Sequence, residues 1–197
     1  SINKRVVHNI PIQFSIDGKK VLGSNPIGMQ GVKLEATVLF IFSLEHHLAE
    51  LIQAVEDSGI EIADVMAAPV AASLVSLTKA EKIAGVVLAN IGSETVSIVV
   101  HEDGIPISLE VFPIGSNDIT NDIALGLQVS LEEAELIKTE FEIGAMPIKH
   151  PRKKLEEIIT SRLSDIFELI SAHLKKIGKN PAITVVHGEA RFKDDQS

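Results

Sequence analysis

Between Lys153 and Ile177 the apolar residues Leu155, Ile158, Ile159, Leu163, Ile166, Phe167, Ile170, Leu174 and Ile177 return at intervals of three and four. That spacing places them along one stripe of a single long helix. Gly178, directly after the last of them, supplies the C-terminal stop. At 1.5 Å per residue such a helix is a rod of about 37 Å. A stripe of that length is stable only against an apolar layer, so the rest of the chain has to provide one.

The preceding elements read as that layer. Apolar and polar residues alternate from Val6 to Ile16, Asp17-Gly18 is hairpin-turn chemistry, and Val21-Leu22 begins the return. Asn25-Pro26-Ile27-Gly28-Met29 reads as a loop and Val32 to Phe42 as a strand. Leu48, Leu51, Ile52 and Val55 fall at helical spacing, closed by Gly59. Ala63 to Leu77, rich in small apolar residues, suits a helix packed closely on a sheet. Gly85 to Leu88, Val96 to Val100 and Ile105 to Ile114 form a three-stranded meander, with Glu102-Asp103-Gly104 as its second turn. Asp118 to Leu127 is expected to be helical, and Ser130-Leu131-Glu132-Glu133 matches a capping box that opens another helix. After the long helix, Ala182 to Val186 reads as a buried strand and Phe192 to Ser197 as a polar tail.

Composition narrows the function. The 197 residues are 45% apolar and 23% charged, the balance of a folded domain. The absence of Cys excludes disulfides and thiolate metal sites and fits a reducing compartment. A net charge of -9 repels nucleic acid, and the basic cluster Arg152-Lys153-Lys154 sits beside acids. Apolar runs such as Val38 to Phe42 fall far short of the roughly 20 residues that span a bilayer. His46 and His47 are adjacent, so on a helix they point about 100° apart; they read as solvated helix-start residues and no metal site is expected. No Ser-His-Asp constellation is apparent.

His8-Asn9-Ile10-Pro11-Ile12-Gln13-Phe14-Ser15-Ile16-Asp17-Gly18, Asn25 to Gly31 and Leu34-Glu35 together resemble the inserted 1C (SHS2) subdomain of the FtsA family of bacterial division proteins. Ile114 to Ala124 and Glu133-Ala134-Glu135-Leu136-Ile137-Lys138 continue the resemblance in register. The resemblance implies an α/β chain built of α+β modules: part of an actin-like ATPase fold with an SHS2-type 1C subdomain at 1–62. The helical remainder of subdomain 1A would follow at 63–83, subdomain 2A at 84–115 and 180–197, and subdomain 2B at 116–179. The family's first phosphate loop and its C-terminal amphipathic membrane helix have no counterpart here, so the chain is expected to be a central part.

The family binds ATP and magnesium, using a second phosphate hairpin of the pattern D-[IL]-G-G-G-T-T-D. Leu88 to Val100 keeps only Gly92 and Thr95 of it; Asn90 replaces the first carboxylate, Ser93 and Glu94 replace two glycines, and Ser97 replaces the last Asp. Glu94 would place an anion where phosphate sits, so Gly92 to Thr95 reads as a plain hairpin turn and no bound cofactor is expected. Glu135 and Lys138 match positions that approach ribose and adenine, and read equally as a solvated pair on one helical face. Gly188, in His187-Gly188-Glu189-Ala190, is the remnant of the last nucleotide turn.

On the long helix, Arg162 and Asp165 match the positions with which the family receives the C-terminal tail of FtsZ; by spacing alone they are an ordinary surface ion pair. The resemblance thus implies a scaffold and not an enzyme, with FtsZ, other copies of itself and later division proteins (through 1C) as partners, at the cytoplasmic face of the membrane at the division site. It would reach that membrane only through a helix absent here. Two alternatives stay open: an ATP-binding actin-like ATPase whose first phosphate loop lies outside this chain, and a pilus-assembly platform protein of the PilM type.

Overall fold

The computed structural model describes residues 3–22, 25–142 and 151–178. The expected strand at Ala182 to Val186, the tail after it and Gly188 lie outside the described residues. Two compact units are present: one takes in 3–22, 25–88 and 99–109, the other 89–98, 110–142 and 151–178.

The first unit opens on a sheet of order β2-β1-β3, made from β1 (Lys4–Ile16), β2 (Lys19–Lys20) and β3 (Leu34–Leu44). Asp17 and Gly18 turn the chain between β1 and β2 with φ of 50° and 76°. Positive φ at both central residues is the turn whose twist suits a two-residue hairpin. β3 starts two residues later than alternation predicts. The Asp17 carboxylate accepts from the N–H of Val32 (3.1 Å) and of Lys33 (2.8 Å), which detains that stretch at the turn. β1 and β3 pair antiparallel along their length, with register breaks between Val6 and His8 and between Pro11 and Gln13.

Helix α1 (Glu45–Asp57) follows, burying Leu48. The helix expected from Ala63 begins only at Ala68, because Pro69 in its first turn sets the start, and it runs as α2 (Ala68–Ser76). A short α3 (Lys79–Ala84) was not foreseen. Thr78 accepts from the Glu81 N–H while the Glu81 carboxylate accepts from the Thr78 N–H, a complete capping box.

The meander is present as the sheet β4-β5-β6, from β4 (Val86–Ile91), β5 (Val96–Glu102) and β6 (Ile105–Phe112). Asp103-Gly104 repeats the Asp17-Gly18 geometry, with φ of 51° and 83°. β5 is the buried strand, enclosing Val96, Ile98, Val99 and Val100.

In the second unit α4 (Ser116–Leu127), α5 (Leu131–Glu142) and α6 (Arg152–Lys176) form a helical layer. Ile119, Ile123, Ala134, Ile137 and Leu155 are its core, flanked by Ile158, Ile159 and Leu163. Ser130 caps α5 by accepting from the Glu133 N–H at 3.2 Å. Farther along α6, Ile166, Ile170 and Leu174 are buried; each contributes on the order of 2 kcal/mol by leaving water. His173 lies against β6, its ring edge-on to Phe112 and its Nδ1 3.5 Å from Glu110. No helix among the described residues is long and apolar enough to cross a membrane.

Candidate functional site

The candidate residues gather around α4. Its N-terminus meets the hairpin between β4 and β5: the Ser116 N–H donates to the Gly92 carbonyl at 2.9 Å and the Asn117 N–H to the Ser93 carbonyl at 2.8 Å. The Gly115 N–H donates to the Asp118 carboxylate at 2.8 Å. A side chain on Gly115 would run into the Ser93 carbonyl, so glycine is what lets the two backbones meet. Within the hairpin, the Gly92 N–H closes on the Thr95 carbonyl at 2.9 Å. Gly92 and Thr95 are thus joined by a backbone bond, and Glu94 projects at an exposed tip.

Glu135 and Lys138 are brought together, and neither behaves as a freely solvated residue. Lys138 Nζ lies 2.7 Å from Glu135 Oε2 and donates to Thr120 Oγ1 at 2.8 Å and to the Ser116 carbonyl at 3.4 Å. Those partners occupy all three donors of the ammonium. Thr120, buried, donates in turn to Glu135 at 2.6 Å. The bonds from Lys138 and then Thr120 hold the Glu135 carboxyl below its ordinary range. Thr120 lies in the run that carries the resemblance, but nothing local marks it as the partner of Glu135 and Lys138.

Arg162 and Asp165 face each other at 3.4 Å, but the stronger partner of Arg162 is on α4. Its Nε donates to Asp122 Oδ2 at 2.7 Å and its Nη2 to Asp122 Oδ1 at 3.0 Å, a bidentate pair. The bond to Asp122 is the main reason the guanidinium is held even more firmly protonated than usual, with Asp165 and Asp118 adding to it. Asp122 lies in the run Ile114 to Ala124, forty positions from Arg162, and nothing in the spacing pairs the two.

His46 and His47 are exposed, and His46 lies 3.4 Å from Glu50 one turn on. Among the described residues no group of His, Asp or Glu could hold a metal ion. Two other histidines escaped the sequence. His8 Nε2 accepts from the Ala67 N–H at 2.9 Å and so caps α2. His101, on β5, is buried with both ring nitrogens unpartnered.

Comparison with known proteins decides the family. The family model for the cell division protein FtsA matches residues 87–188, just over half the chain, and that for the SHS2 domain inserted in FtsA matches residues 1–42. The chain belongs to the FtsA family. FtsA of Bacillus subtilis is 34% identical over 88% of the chain and 43% of its own length, and FtsA of Borreliella burgdorferi 31% identical over 97% and 52%. The chain therefore spans about half the length of these FtsA relatives. Among solved structures, one described as a PilM-PilN type IV pilus biogenesis complex aligns with a TM-score of 0.60 at 18% identity, over 78% of this chain and 43% of that one. MreB 5 of Spiroplasma citri, solved with AMPPNP, aligns at 0.56 and 13% identity, over 71% and 49%. At those identities the likeness concerns fold alone, and the fold is actin-like.

Proposed function

We propose that this FtsA-family chain is the scaffold part of a division protein: it binds the C-terminal tail of FtsZ at Arg162 and Asp165, associates with further copies of itself and contacts later division proteins, without turning over ATP. It would act at the cytoplasmic face of the membrane at the division site. On this reading 1–62 is the SHS2-type module, 63–83 belongs to subdomain 1A, 84–115 with 180–197 to 2A, and 116–179 to 2B. The observation that carries the binding role is the fixed Arg162 guanidinium, oriented by Asp122 and flanked by Asp165 on α6. Asp122 takes two of the five guanidinium N–H groups and Asp165 faces a third, so donors remain on the terminal nitrogens, and a preoriented guanidinium suits a helical or extended tail bearing a carboxylate.

Magnesium-ATP, which the family implies, is not matched by the residues present. The Gly92 N–H is committed to Thr95, and the first N–H groups of α4 are committed to the hairpin carbonyls. The Glu94 carboxylate adds repulsion at the tip, and Lys138 already has three partners. A scaffold without turnover is the reading these contacts support.

The test is a fluorescence-anisotropy titration with a labelled FtsZ tail peptide. The partner variant is the charge swap Arg162→Asp with Asp122→Arg, which keeps an internal ion pair while moving the guanidinium off α6. Saturable binding by the parent chain, lost in a folded swap, is expected. Equal binding by both removes Arg162 from the site, and absence of binding by the parent removes FtsZ from the assignment. Parallel titration of a fluorescent ATP analogue with magnesium should show no saturation.

A further inference from the structure

β1 carries one residue more than β3 between Val6 and His8: Val6 lies opposite Phe42 and His8 opposite Ile41, which leaves Val7 as the extra residue. Such a bulge re-aims the side chains that follow it. In an unbroken ladder His8 would share the face of Val6; instead it shares that of Ile41, which is buried. Its Nε2 there meets the N–H of Ala67, the residue that opens α2, at 2.9 Å. A backbone N–H can only donate, so Nε2 is an acceptor and the ring is neutral, with its proton on Nδ1. α2 has no side-chain cap of its own and no acid in its first turn, so the start of the helix is received by an imidazole from another element.

We propose that His8 is a proton-operated latch between the N-terminal sheet and α2, closed while its ring is neutral and released when the ring is protonated. Protonated, Nε2 carries a hydrogen that faces the Ala67 N–H, and the cation stands at the positive end of the helix dipole. The neighbouring elements offer the closed arrangement no counter-charge. β3 from Ala36 to Leu44 and the whole of α2 have no titratable side chain. On its own strand the nearest charges are Lys4 and Arg5, of the same sign as the protonated ring. α1, which follows β3, carries Glu45, His46, His47, Glu50, Glu56 and Asp57, all exposed. The remaining acids are Glu61 and Asp64, in the segment leading into α2, and Asp64 accepts from the Val65 N–H at 2.7 Å. Residues 60–67 form neither helix nor strand, and the bond to His8 fixes their last residue. Its release frees the end of that segment and leaves the Ala67 N–H to water.

The experiment is amide hydrogen exchange followed by nuclear magnetic resonance on the whole nitrogen-labelled chain, at steps from about pH 7 to pH 5, with each rate divided by the intrinsic rate at that pH. The same samples report the protonation of each histidine ring through its own nitrogen signals. Protection of the Ala67 amide is expected to fall about fivefold, the loss of one ordinary hydrogen bond. That fall should follow the protonation of His8 and not that of His101, the buried histidine on β5. In His8→Gln, which has no ring to titrate, the pH dependence at Ala67 should vanish. Protection at Ala67 that stays level while the His8 ring takes up its proton overturns the latch. An equal fall in His8→Gln, or one that follows His101, overturns it as well, because the loosening then starts elsewhere in the chain.

Discussion

Arg162 and Asp122 are joined by two hydrogen bonds, 2.7 and 3.0 Å long, that bridge α6 to α4. Both side chains are less than a third exposed. Breaking the pair strands a charge between two helices. Asp122→Ala should therefore lower stability by about 1–3 kcal/mol in urea unfolding, and Arg162→Ala by a similar amount. The double variant should lose less than the sum of the two, which a double-mutant cycle measures.

Gly115→Ala tests the junction of hairpin and helix. The added methyl meets the Ser93 carbonyl, which is backbone and cannot rotate away. A loss of about 1–3 kcal/mol is expected, typical of forced overpacking. Thermal unfolding of the variant beside Gly178→Ala is a useful contrast, since no atom of the described residues lies within contact of the latter's new methyl and its φ of 73° is the cost the described residues show there.

For the triad of Thr120, Glu135 and Lys138, Thr120→Val removes the hydroxyl that both charged groups use. It should destabilise by about 1–2 kcal/mol. The Glu135 carboxyl is held below its usual range in the fold, so its contribution is present above the unfolded value near 4.5 and fades as pH falls through the folded one. Glu135→Gln should flatten that acid limb in a series of unfolding curves.

His101 gives a second pH dependence. Burial, with Lys82 adding to it, holds the imidazole neutral in the fold below its ordinary range. The unfolded chain takes up a proton near pH 6.5 while the folded chain does not. Stability should therefore be fully present above that pH and decline as pH drops through it towards the lower folded value. In His101→Leu the slope between pH 7 and 5 should shrink, and stability at pH 7 should rise because two unpartnered nitrogens are gone.

Elements governed by local chemistry were legible. The stripe on α6 and the two Asp-Gly turns follow from spacing and from residues that tolerate positive φ. Starts set by a contact from elsewhere were not, as with β3, whose first residues are held by the Asp17 carboxylate. α3 escaped because six residues are too few to show a periodicity, although Thr78 and Glu81 spelled its capping box. In the candidate site the charged residues could be named, but their partners Thr120 and Asp122 could not. A polar residue in the middle of α4 looks the same in sequence whether it faces water or another helix.

Ser116 and Asn117 in the first turn of α4 fix the hairpin, while Thr120 and Asp122 in the next fix α5 and α6. Three surroundings thus take their position from the same stretch of about two helical turns. A rotation of α4 that suited one of them would put the other two out of register together, so α4 leaves evolution little latitude for independent adjustment. Change in the hairpin tip or along α6 is then easiest at residues that do not touch α4 at all.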